Sequence, residues 1–221
     1  MSLSAIIPSR NERYLAQTVA DLLAHAVGDL EVIPVLDGPP FPELPRDSRV
    51  RPIYHDQPAG MRPSINEAAA AARGDYLLKC DAHCAFDQGF DGVLLSEIED
   101  NWVVIPRRYS LEPVSWTRDL RDPPRDAHYL LFPWTHPDKP VLRGRYWKER
   151  SAARAAITLD DDMTSQGSCW VMSKRHWDQT VGPLDTEHYG TFIQEFNEVG
   201  GKTWLSGGKV KVQKRTWYAH L

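Results

Sequence analysis

The chain has 221 residues, the length of one large domain or two small ones. Hydrophobic residues make up 42% of it and charged residues 25%, which excludes a disordered, collagenous or coiled-coil protein. Its 26 Lys and Arg against 30 Asp and Glu give a formal net charge of −4, which disfavours a globally basic nucleic-acid binder but leaves a local basic stripe open.

The first half alternates apolar runs with patterns of helical spacing. The predicted strands are residues 4–8, 30–36, 50–54 and 76–80, and the predicted helices are residues 11–23 and 64–72. Ser9 or Asn11 is placed to cap the first helix. This alternation predicts the α/β class, with a mixed, mostly parallel sheet flanked by helices. Ligands of such sheets bind beyond the carboxyl ends of the strands.

The second half has a different character. Residues 107–166 are rich in Pro, Arg, Asp, Trp and Tyr with little periodicity, and we interpret them as a variable, substrate-facing segment. Around this segment, the pattern predicts strands at 103–105 and 168–172, a helix at 192–203, and a closing strand or hairpin at 209–213 and 216–220.

Targeting and redox signals are sparse. No stretch approaches the ~20 consecutive apolar residues that span a bilayer, and the opening MSLSAIIPSRNER lacks the pattern of a signal peptide. The three cysteines cannot all pair with one another. Cys80 and Cys84 flank a polar motif and do not have the spacing of a metal-binding pair. We expect a soluble, cytoplasmic protein whose reduced thiols serve packing.

Asp81 and His83 directly follow the predicted strand 76–80. Alternation places residues i and i+2 on one side, so a carboxylate and an imidazole are presented together at the ligand-binding edge. This pair suits Mn²⁺, and Mg²⁺ less well, and the ion could bridge two phosphates of a leaving nucleoside diphosphate. The alternative is a turn-capping Asp beside a surface His. His220 ends the last predicted strand and is either a third ligand or a half-exposed terminal histidine.

Two further polar groups follow strands. Ser9, Arg10, Asn11 and Glu12 lie where the first strand becomes the first helix, so backbone N–H groups and the helix dipole are available there to an anion or polar ligand. Helix capping explains Ser9 or Asn11 equally well. Asp37 ends the second strand and either accepts hydrogen bonds from a base or ribose or belongs to an ordinary Asp-Gly turn.

Acidic and aromatic residues mark the acceptor side. Glu195 and Glu198 share one helical face, and either both are solvated or one acts as a general base or as a partner of sugar hydroxyls. We interpret the acidic run 160–162 as solvated, because no second ligand set lies near it in the sequence. Among the tryptophans, Trp170 is the candidate for a substrate platform, since aromatic faces stack on sugars and bases.

Several segments, in chain order, resemble one enzyme family. SAIIPSRNERYLAQTVADLL with EVIPVLDG is similar to the opening of GT-A-fold glycosyltransferases of the family-2 type. AAAAARGDYLLKCDAHCAFDQGFDGVLL, with its Asp-x-His-Cys motif, most resembles the catalytic domain of polypeptide N-acetylgalactosaminyltransferases. GSCWVMSKRHWDQTVGPLD resembles the later strand of that domain, and the intervals between Glu195, Trp204, 207–209 and His220 match its C-terminal block. The resemblance covers residues 4–105 and 167–220.

The resemblance implies a single GT-A domain over residues 1–221, with a nucleotide-sugar-binding half at 1–105 and an acceptor-binding half at 106–221. The implied metal, Mn²⁺ or Mg²⁺, is held by Asp81, His83 and His220. A nucleotide donor, usually UDP-linked, is surrounded by Pro8, Ser9, Glu12 and Asp37. Glu195 takes the place of the family's acidic residue near the donor sugar and the acceptor. The family's usual Asp-Asp pair is Leu36-Asp37 here.

The predicted activity is metal-dependent transfer of a sugar from a nucleotide-diphosphate donor to an acceptor hydroxyl. The family-2 resemblance favours inversion of configuration with a carboxylate base, whereas the Asp-x-His motif resembles that of a retaining group, and the prediction leans slightly to retention. The acceptor is a glycan, a protein side chain, a small molecule or, in a phage, a modified DNA base held by the Arg- and Trp-rich residues 107–154. A bacterial or phage origin fits the lack of an anchor or lectin-like domain. The alternatives are a sugar-phosphate nucleotidyltransferase, which would need a Gly-rich phosphate loop where PSRNE stands, and a non-catalytic nucleotide-sugar-binding module.

Overall fold

A computed structural model describes residues 1–132, 142–189 and 195–221. The strands are β1 (Ser2–Ser9), β2 (Asp29–Asp37), β3 (Ile53–His55), β4 (Tyr76–Cys80), β5 (Cys84–Phe86), β6 (Trp102–Glu112), β7 (Thr117–Asp119), β8 (His128–Leu131), β9 (Arg143–Tyr146), β10 (Leu159–Asp161), β11 (Cys169–Ser173) and β12 (Lys209–His220). The helices are α1 (Leu15–His25), α2 (Met61–Ala71), α3 (Phe90–Leu95), α4 (Lys148–Ala153), α5 (Lys174–His176) and α6 (Glu195–Leu205). A π-helical turn, Trp177–Val181, follows α5.

Eight strands form the main path of one mixed sheet, in the order β10-β12-β6-β11-β4-β1-β2-β3. Strands β1 to β4 pair in parallel, and β11 is antiparallel to both β4 and β6. Because β12 pairs in parallel with β6, both strands run in the same direction as β4. The predicted α/β fold, a mostly parallel sheet flanked by helices, is confirmed. Strands β8 and β9 form a separate antiparallel pair.

The chain direction explains why distant residues meet. The carboxyl ends of β4 and β12 lie at the same edge of the sheet, so Asp81 and His220 emerge there together. Strand β5 then pairs with the end of β12, with Cys84 opposite His220. This pairing folds the turn that holds His83 against the last residues of β12.

One large apolar core packs against the faces of the sheet. Its buried side chains include Ile6 of β1, Leu78 of β4 and Val171 of β11, all of which are fully buried. Helix α1 packs against β2 and β5, α2 against β1 and β2, and α6 against β6 and β12. The interior strands read as continuous apolar runs because both of their faces are covered.

All three cysteines lie in this core as free thiols, in agreement with the prediction that they serve packing. Cys80 of β4 lies opposite Cys169 of β11 in the antiparallel pairing, and Cys84 begins β5. Burial raises the pKa of each of the three thiols well above its ordinary value.

Helix α1 begins four residues later than its sequence pattern predicts. Asn11 has a left-handed backbone with φ 52°, which turns the chain after β1. The residue that precedes the helix is Tyr14, and it makes no side-chain capping bond. The prediction that Ser9 or Asn11 caps this helix is therefore wrong.

The second half is more ordered than its composition predicts. Within the described part of residues 107–166, the chain continues β6 and forms β7 to β10 and α4. The closing element is one strand, β12, whose pairing shifts register between Gln213 and Trp217. Residues 192–194 of the predicted helix 192–203 lie outside the described residues, and the described helix extends to Leu205.

The acidic run 160–162 is not solvated as a whole, which corrects the prediction. Asp160 is 3% exposed and accepts hydrogen bonds from Arg154 and Lys214. Asp162 is 2% exposed and accepts the backbone N–H of His128 at 2.8 Å. These carboxylates hold β10 and the following loop to the rest of the fold. Among the described residues, no helix has the length and apolar character needed to cross a membrane.

Candidate functional site

Three side chains converge at the edge where β4 and β12 end. Nε2 of His220 lies 2.9 Å from Oδ2 of Asp81 and 3.1 Å from Nε2 of His83. Asp81, His83 and His220 each offer one ligand atom, and these atoms all lie within 4.8 Å of one another. The structure therefore brings together the three residues predicted as metal ligands.

Neighbouring side chains orient the two imidazoles. Oε2 of Glu12 lies 3.1 Å from Nδ1 of His83, so this carboxylate accepts a hydrogen bond from Nδ1–H and Nε2 is the unprotonated ring nitrogen. Arg108 donates from Nη2 to Nδ1 of His220 at 3.1 Å. Because guanidinium only donates, this bond assigns the ring proton of His220 to Nε2, beside Asp81. Metal binding at Nε2 requires that proton to move to Nδ1 and Arg108 to turn to another acceptor.

The donor set fits a divalent ion such as Mn²⁺. One carboxylate and two imidazoles combine oxygen and nitrogen ligands, which Mn²⁺ accepts more readily than Mg²⁺ does. Burial lowers the pKa of His220, although Asp81 opposes the shift, so the imidazole is neutral at pH 7 and able to act as a ligand. Burial raises the pKa of Asp81, but Lys79 and His220 outweigh it, and the net pKa lies well below the ordinary value.

Lys79 connects this cluster to the acceptor-side carboxylate. It is 1% exposed, and its Nζ donates to Oδ1 of Asp81 at 2.6 Å and to the carbonyl of Gly167 at 2.7 Å. Oε1 of Glu195 lies 3.3 Å from the same Nζ. Burial lowers the pKa of Lys79, but the two carboxylates raise it overall, so the buried ammonium stays charged.

Glu195 begins α6 and is 4% exposed. Burial raises its pKa, Lys79 lowers it and Asp81 raises it, and the net direction is upward. Gly167 lies directly against the carboxylate: a Cβ at this position would be 2.3 Å from Oε1 of Glu195. Gly167 also has φ +81°, so a side chain there is excluded both by backbone conformation and by space.

Two cavities flank the cluster. One, of about 410 Å³, is lined by residues that include Glu12, Tyr14 and His83. The other, of about 290 Å³, is lined by residues that include Gln166 and Glu195. His83 lines the first cavity and Glu195 the second, and the contacts of His220, Asp81 and Lys79 connect these two residues.

The residues predicted to bind the nucleotide follow β1 and β2. Pro8 and Ser9 end β1, with Ser9 6% exposed, and Arg10 is exposed in the turn beyond it. Asp37 ends β2 and is 4% exposed. Its carboxylate accepts the N–H groups of residues 59 and 60 at 2.7 and 2.9 Å and lies 2.7 Å from Nδ1 of His55. Asp37 therefore shapes the loop before α2, and its contact with a base or ribose stays a prediction.

Two predicted site residues are structural. Trp170 is fully buried and stacks on Trp177 with ring centroids 5.9 Å apart, so the prediction that it forms a substrate platform is wrong. Glu198 is 3% exposed, pairs with Arg62 and Lys202, and accepts the N–H of Asp185 at 3.0 Å. This carboxylate joins α6 to α2, so the alternatives of a solvated or catalytic Glu198 are both set aside.

Sequence reasoning missed Lys79 and Arg108. A signal for Lys79 exists, because a lysine inside the apolar run YLLKC must either face solvent or meet a buried anion. Arg108 is 8% exposed, and its Nε and Nη1 have no partner among the described residues. Its position in β6 offered no comparable signal, since Arg107 beside it has the same chemistry and instead pairs with Asp126 at 2.7 Å.

The mixed, mostly parallel α/β sheet flanked by helices matches the GT-A fold of glycosyltransferases. The model of glycosyl transferase family 2 matches residues 4–179, and the chain belongs to this family. The structure is similar to the crystal structure of GalNAc-T7 with UDP, GalNAc and Mn²⁺, with a TM-score of 0.79 over 99% of this chain and 16% sequence identity. This chain spans 43% of that chain. No curated protein matches the sequence.

Proposed function

We propose that this glycosyltransferase moves a sugar from a UDP-linked donor to an acceptor hydroxyl and that a divalent ion, Mn²⁺ in preference to Mg²⁺, is held by Asp81, His83 and His220. The observation that carries the proposal is the convergence of these three side chains, whose ligand atoms all lie within 4.8 Å of one another. The GalNAc-T7 structure was solved with UDP and Mn²⁺, which supports the same choice of donor and ion here.

The donor nucleotide lies, in this proposal, beyond the carboxyl ends of β1 and β2. Pro8, Ser9 and Arg10 border that space directly, whereas Asp37 fixes the loop that forms its side wall. Glu12 orients His83 and lines the cavity of about 410 Å³. The diphosphate then lies over the candidate metal ligands.

Charge on the leaving diphosphate is met from two sources. A bound divalent ion supplies Lewis acidity to the phosphate oxygens. Arg108, once turned away from Nδ1 of His220, presents a guanidinium whose Nε and Nη1 already lack partners in the described structure. Once Nη2 has left His220, the parallel N–H groups of Nη1 and Nη2 suit a phosphate oxygen pair, and we propose that they stabilise the departing nucleotide.

Glu195 acts on the acceptor side of the reaction. Its buried carboxylate, with a raised pKa, accepts a hydrogen bond from the acceptor hydroxyl and takes its proton. The acceptor oxygen forms a bond to the anomeric carbon, while the bond to the diphosphate oxygen breaks and leaves its electron pair on the nucleotide. Lys79 holds Glu195 and Asp81 at a fixed separation throughout.

The structure does not favour a DNA acceptor. Several arginines of the predicted basic segment are engaged by carboxylates: Arg107 pairs with Asp126, Arg121 with Asp119, and Arg154 with Asp160. In the described part of residues 107–154, these pairs reduce the positive charge available to a phosphate backbone. A glycan, protein or small-molecule acceptor fits this surface better.

The test is donor hydrolysis. The protein is incubated with a panel of nucleotide sugars and Mn²⁺, and nucleoside diphosphate release is measured. We expect release from a UDP-sugar, its loss in Asp81→Asn and His220→Ala, and wild-type rates in Asp178→Asn, which removes an exposed carboxylate paired with Lys174. Release that persists in both metal-ligand variants, or no release from any donor, would contradict the proposal.

A further inference from the structure

A cavity of about 430 Å³ lies at the end of α6 opposite to Glu195. Its wall contains Trp147, which precedes α4, and Trp204 near the end of α6. These tryptophans are 38% and 41% exposed, although both side chains are large and apolar. Half-exposed aromatic faces that share one concavity are unusual on a soluble surface and mark a binding site.

Polar groups line the floor of the same cavity. His128 is 4% exposed, and its Nδ1 lies 3.2 Å from Oδ2 of Asp162. Nε2 of His128 is buried and has no hydrogen-bond partner among residues 1–132, 142–189 and 195–221. If Asp162 accepts the Nδ1 proton, Nε2 is a free acceptor for a ligand hydroxyl. An unpaired buried polar atom of this kind calls for a partner.

The charges around the cavity exclude a strongly anionic ligand. Arg150 donates to the carbonyl of Asp161 at 3.0 Å and lies over the ring of Trp147. The carboxylate of Asp161 is paired with Lys211 at 2.6 Å. Arg150 is the one arginine among the described lining residues and is already engaged, so this part of the chain offers no free cationic group for a phosphate. Aromatic faces beside a hydrogen-bond acceptor suit a neutral sugar ring.

The cavity lies beside the cavity on the acceptor side of the proposed active site. Tyr146 lines the cavity that contains Glu195, and its chain neighbour Trp147 lines this one. Both cavities also share α6, which contributes Glu195 to the first and Trp204 to the second. Asn197 of α6 also lines the first cavity; it precedes Trp204 by seven residues, which places the two on the same helix face and roughly 10 Å apart along the axis. A saccharide of a few rings spans this distance.

We infer that this cavity is a saccharide-binding subsite. Trp147 and Trp204 stack on a neutral sugar ring, and Nε2 of His128 accepts a hydrogen bond from a sugar hydroxyl. The reacting end of the same saccharide chain then lies beside Glu195, so the acceptor is an oligosaccharide or polysaccharide. Binding in the cavity stands on its own observations, and only the position of the reacting end rests on the proposed function.

The test measures binding without donor or metal. The full chain is titrated with hexasaccharides of α-glucan, β-glucan and chitin, and binding is followed by calorimetry and by intrinsic tryptophan fluorescence. We expect one of them to bind, and Trp204→Ala and Trp147→Ala each to weaken it about 10-fold, which corresponds to about 1.4 kcal/mol for loss of an aromatic stacking platform. Trp204→Phe keeps the ring and most of the affinity.

Controls separate this inference from the proposed function. Leu205→Ala changes the neighbouring residue of α6, which is 91% exposed and does not line the cavity, and should leave binding unchanged. Hydrolysis of the nucleotide sugar should be the same in Trp204→Ala as in the wild type. If no hexasaccharide binds, or if the tryptophan variants bind as tightly as the wild type, the subsite is disproved even where donor hydrolysis persists. Saccharide binding without donor hydrolysis would instead disprove the activity and leave the subsite.

Discussion

At the scale of single residues, Lys79 has the clearest predicted effect. Its Nζ lies between the carboxylates of Asp81 and Glu195, and it lowers the pKa of both. Lys79→Met removes this charge, so the acid limb of the pH–rate profile should move to higher pH while the rate falls by about 100-fold or more. The measurement is nucleoside diphosphate release as a function of pH.

A structural role alone would predict a different result for Lys79→Met. Loss of stability without a change in catalysis would lower the amount of folded enzyme and leave the shape of the pH profile unaltered. Lys174→Met is the matched control, because this lysine forms an exposed ion pair with Asp178 within α5 and the turn after it. Its profile should overlay that of the wild type.

Asp160 makes a pH-dependent contribution to stability. Burial raises its pKa, but hydrogen bonds from Arg154 and Lys214 outweigh it and bring the pKa from 3.8 to about 2. A depressed folded-state pKa stabilises the fold above the unfolded-state value, and this contribution disappears as the pH falls from about 4 through about 2. Asp160→Asn should therefore lose about 2 kcal/mol of unfolding free energy at pH 7.

The measurement for Asp160→Asn is denaturant unfolding of variant and wild type between pH 7 and pH 2.5. The difference between them should be constant down to about pH 5 and then shrink, since the wild-type carboxylate loses its advantage as protons bind. A difference that stays constant to the lowest pH would show that the ion pairs contribute nothing.

Single-residue predictions from the sequence succeeded where a local rule fixes direction. Alternation after a strand places Asp81 and His83 on one side, and the structure shows them together. Trp170 failed because an aromatic residue in a strand points to solvent or to the core depending on which layer covers that face. The sequence of β11 does not indicate that the π-helical turn with Trp177 covers this face of the strand.

At the scale of elements, the buried pair of Arg62 and Glu198 joins α2 to α6. Removing one partner of a buried ion pair leaves the other charge uncompensated. In Arg62→Met, Glu198 still has Lys202 and the N–H of Asp185 as partners. The unfolding free energy should therefore fall by about 2 to 3 kcal/mol, toward the low end of the loss of roughly 3 to 5 kcal/mol that is usual when a buried pair is broken. Chemical denaturation measures this loss.

A double-mutant cycle decides how much of the loss belongs to the pair. Arg62→Met, Glu198→Gln and the double variant should give a coupling energy of about 1 to 3 kcal/mol. Additive losses would show that the two side chains act independently, and that the connection between α2 and α6 depends on their apolar contacts.

Element boundaries were predicted less well than element types. The apolar periodicity of residues 15–23 correctly indicates a helix, but the start depends on the left-handed backbone of Asn11, which periodicity does not report. Residues 107–166 contain short strands whose partners lie far along the chain, such as β10 beside β12. Strands of three residues leave no measurable period in a sequence.

At the scale of the whole molecule, a metal ion would join residues that are 139 positions apart, Asp81 and His220. Binding to the folded state alone stabilises it by about 2.7 kcal/mol at a ligand concentration 100 times Kd. Mn²⁺ should therefore raise the Tm by about 5 to 10 °C for a chain of this size. Differential scanning calorimetry with and without the ion tests this.

The variant that checks the site of this effect is His220→Ala. It should remove the Mn²⁺-dependent increase in Tm while leaving the Tm in chelator close to that of the wild type, because His220 lies at the strand end and outside the apolar core. An equal increase in both proteins would place the ion elsewhere.

The sheet as a whole was predictable in class and unpredictable in order. Alternating strands and helices in the first half indicate crossover connections, and β1, β2 and β4 pair in parallel accordingly. The reversal of β11 between β4 and β6, and the pairing of β5 with β12, depend on contacts between distant segments. The ends of β4 and β12 share one edge because β6 and β12 run in the same direction as β4, on the far side of the reversed strand β11.

The burial of Cys80, Cys84 and Cys169 has a practical consequence for measuring the conformational dynamics of this protein by site-specific labelling. Thiols that are fully enclosed and rarely ionised react poorly with maleimide dyes, since the thiolate is the reacting species. A new cysteine introduced at an exposed position such as Leu205 would then carry a fluorophore or spin label selectively. Spectroscopic distance measurements would thus not require removal of the native cysteines.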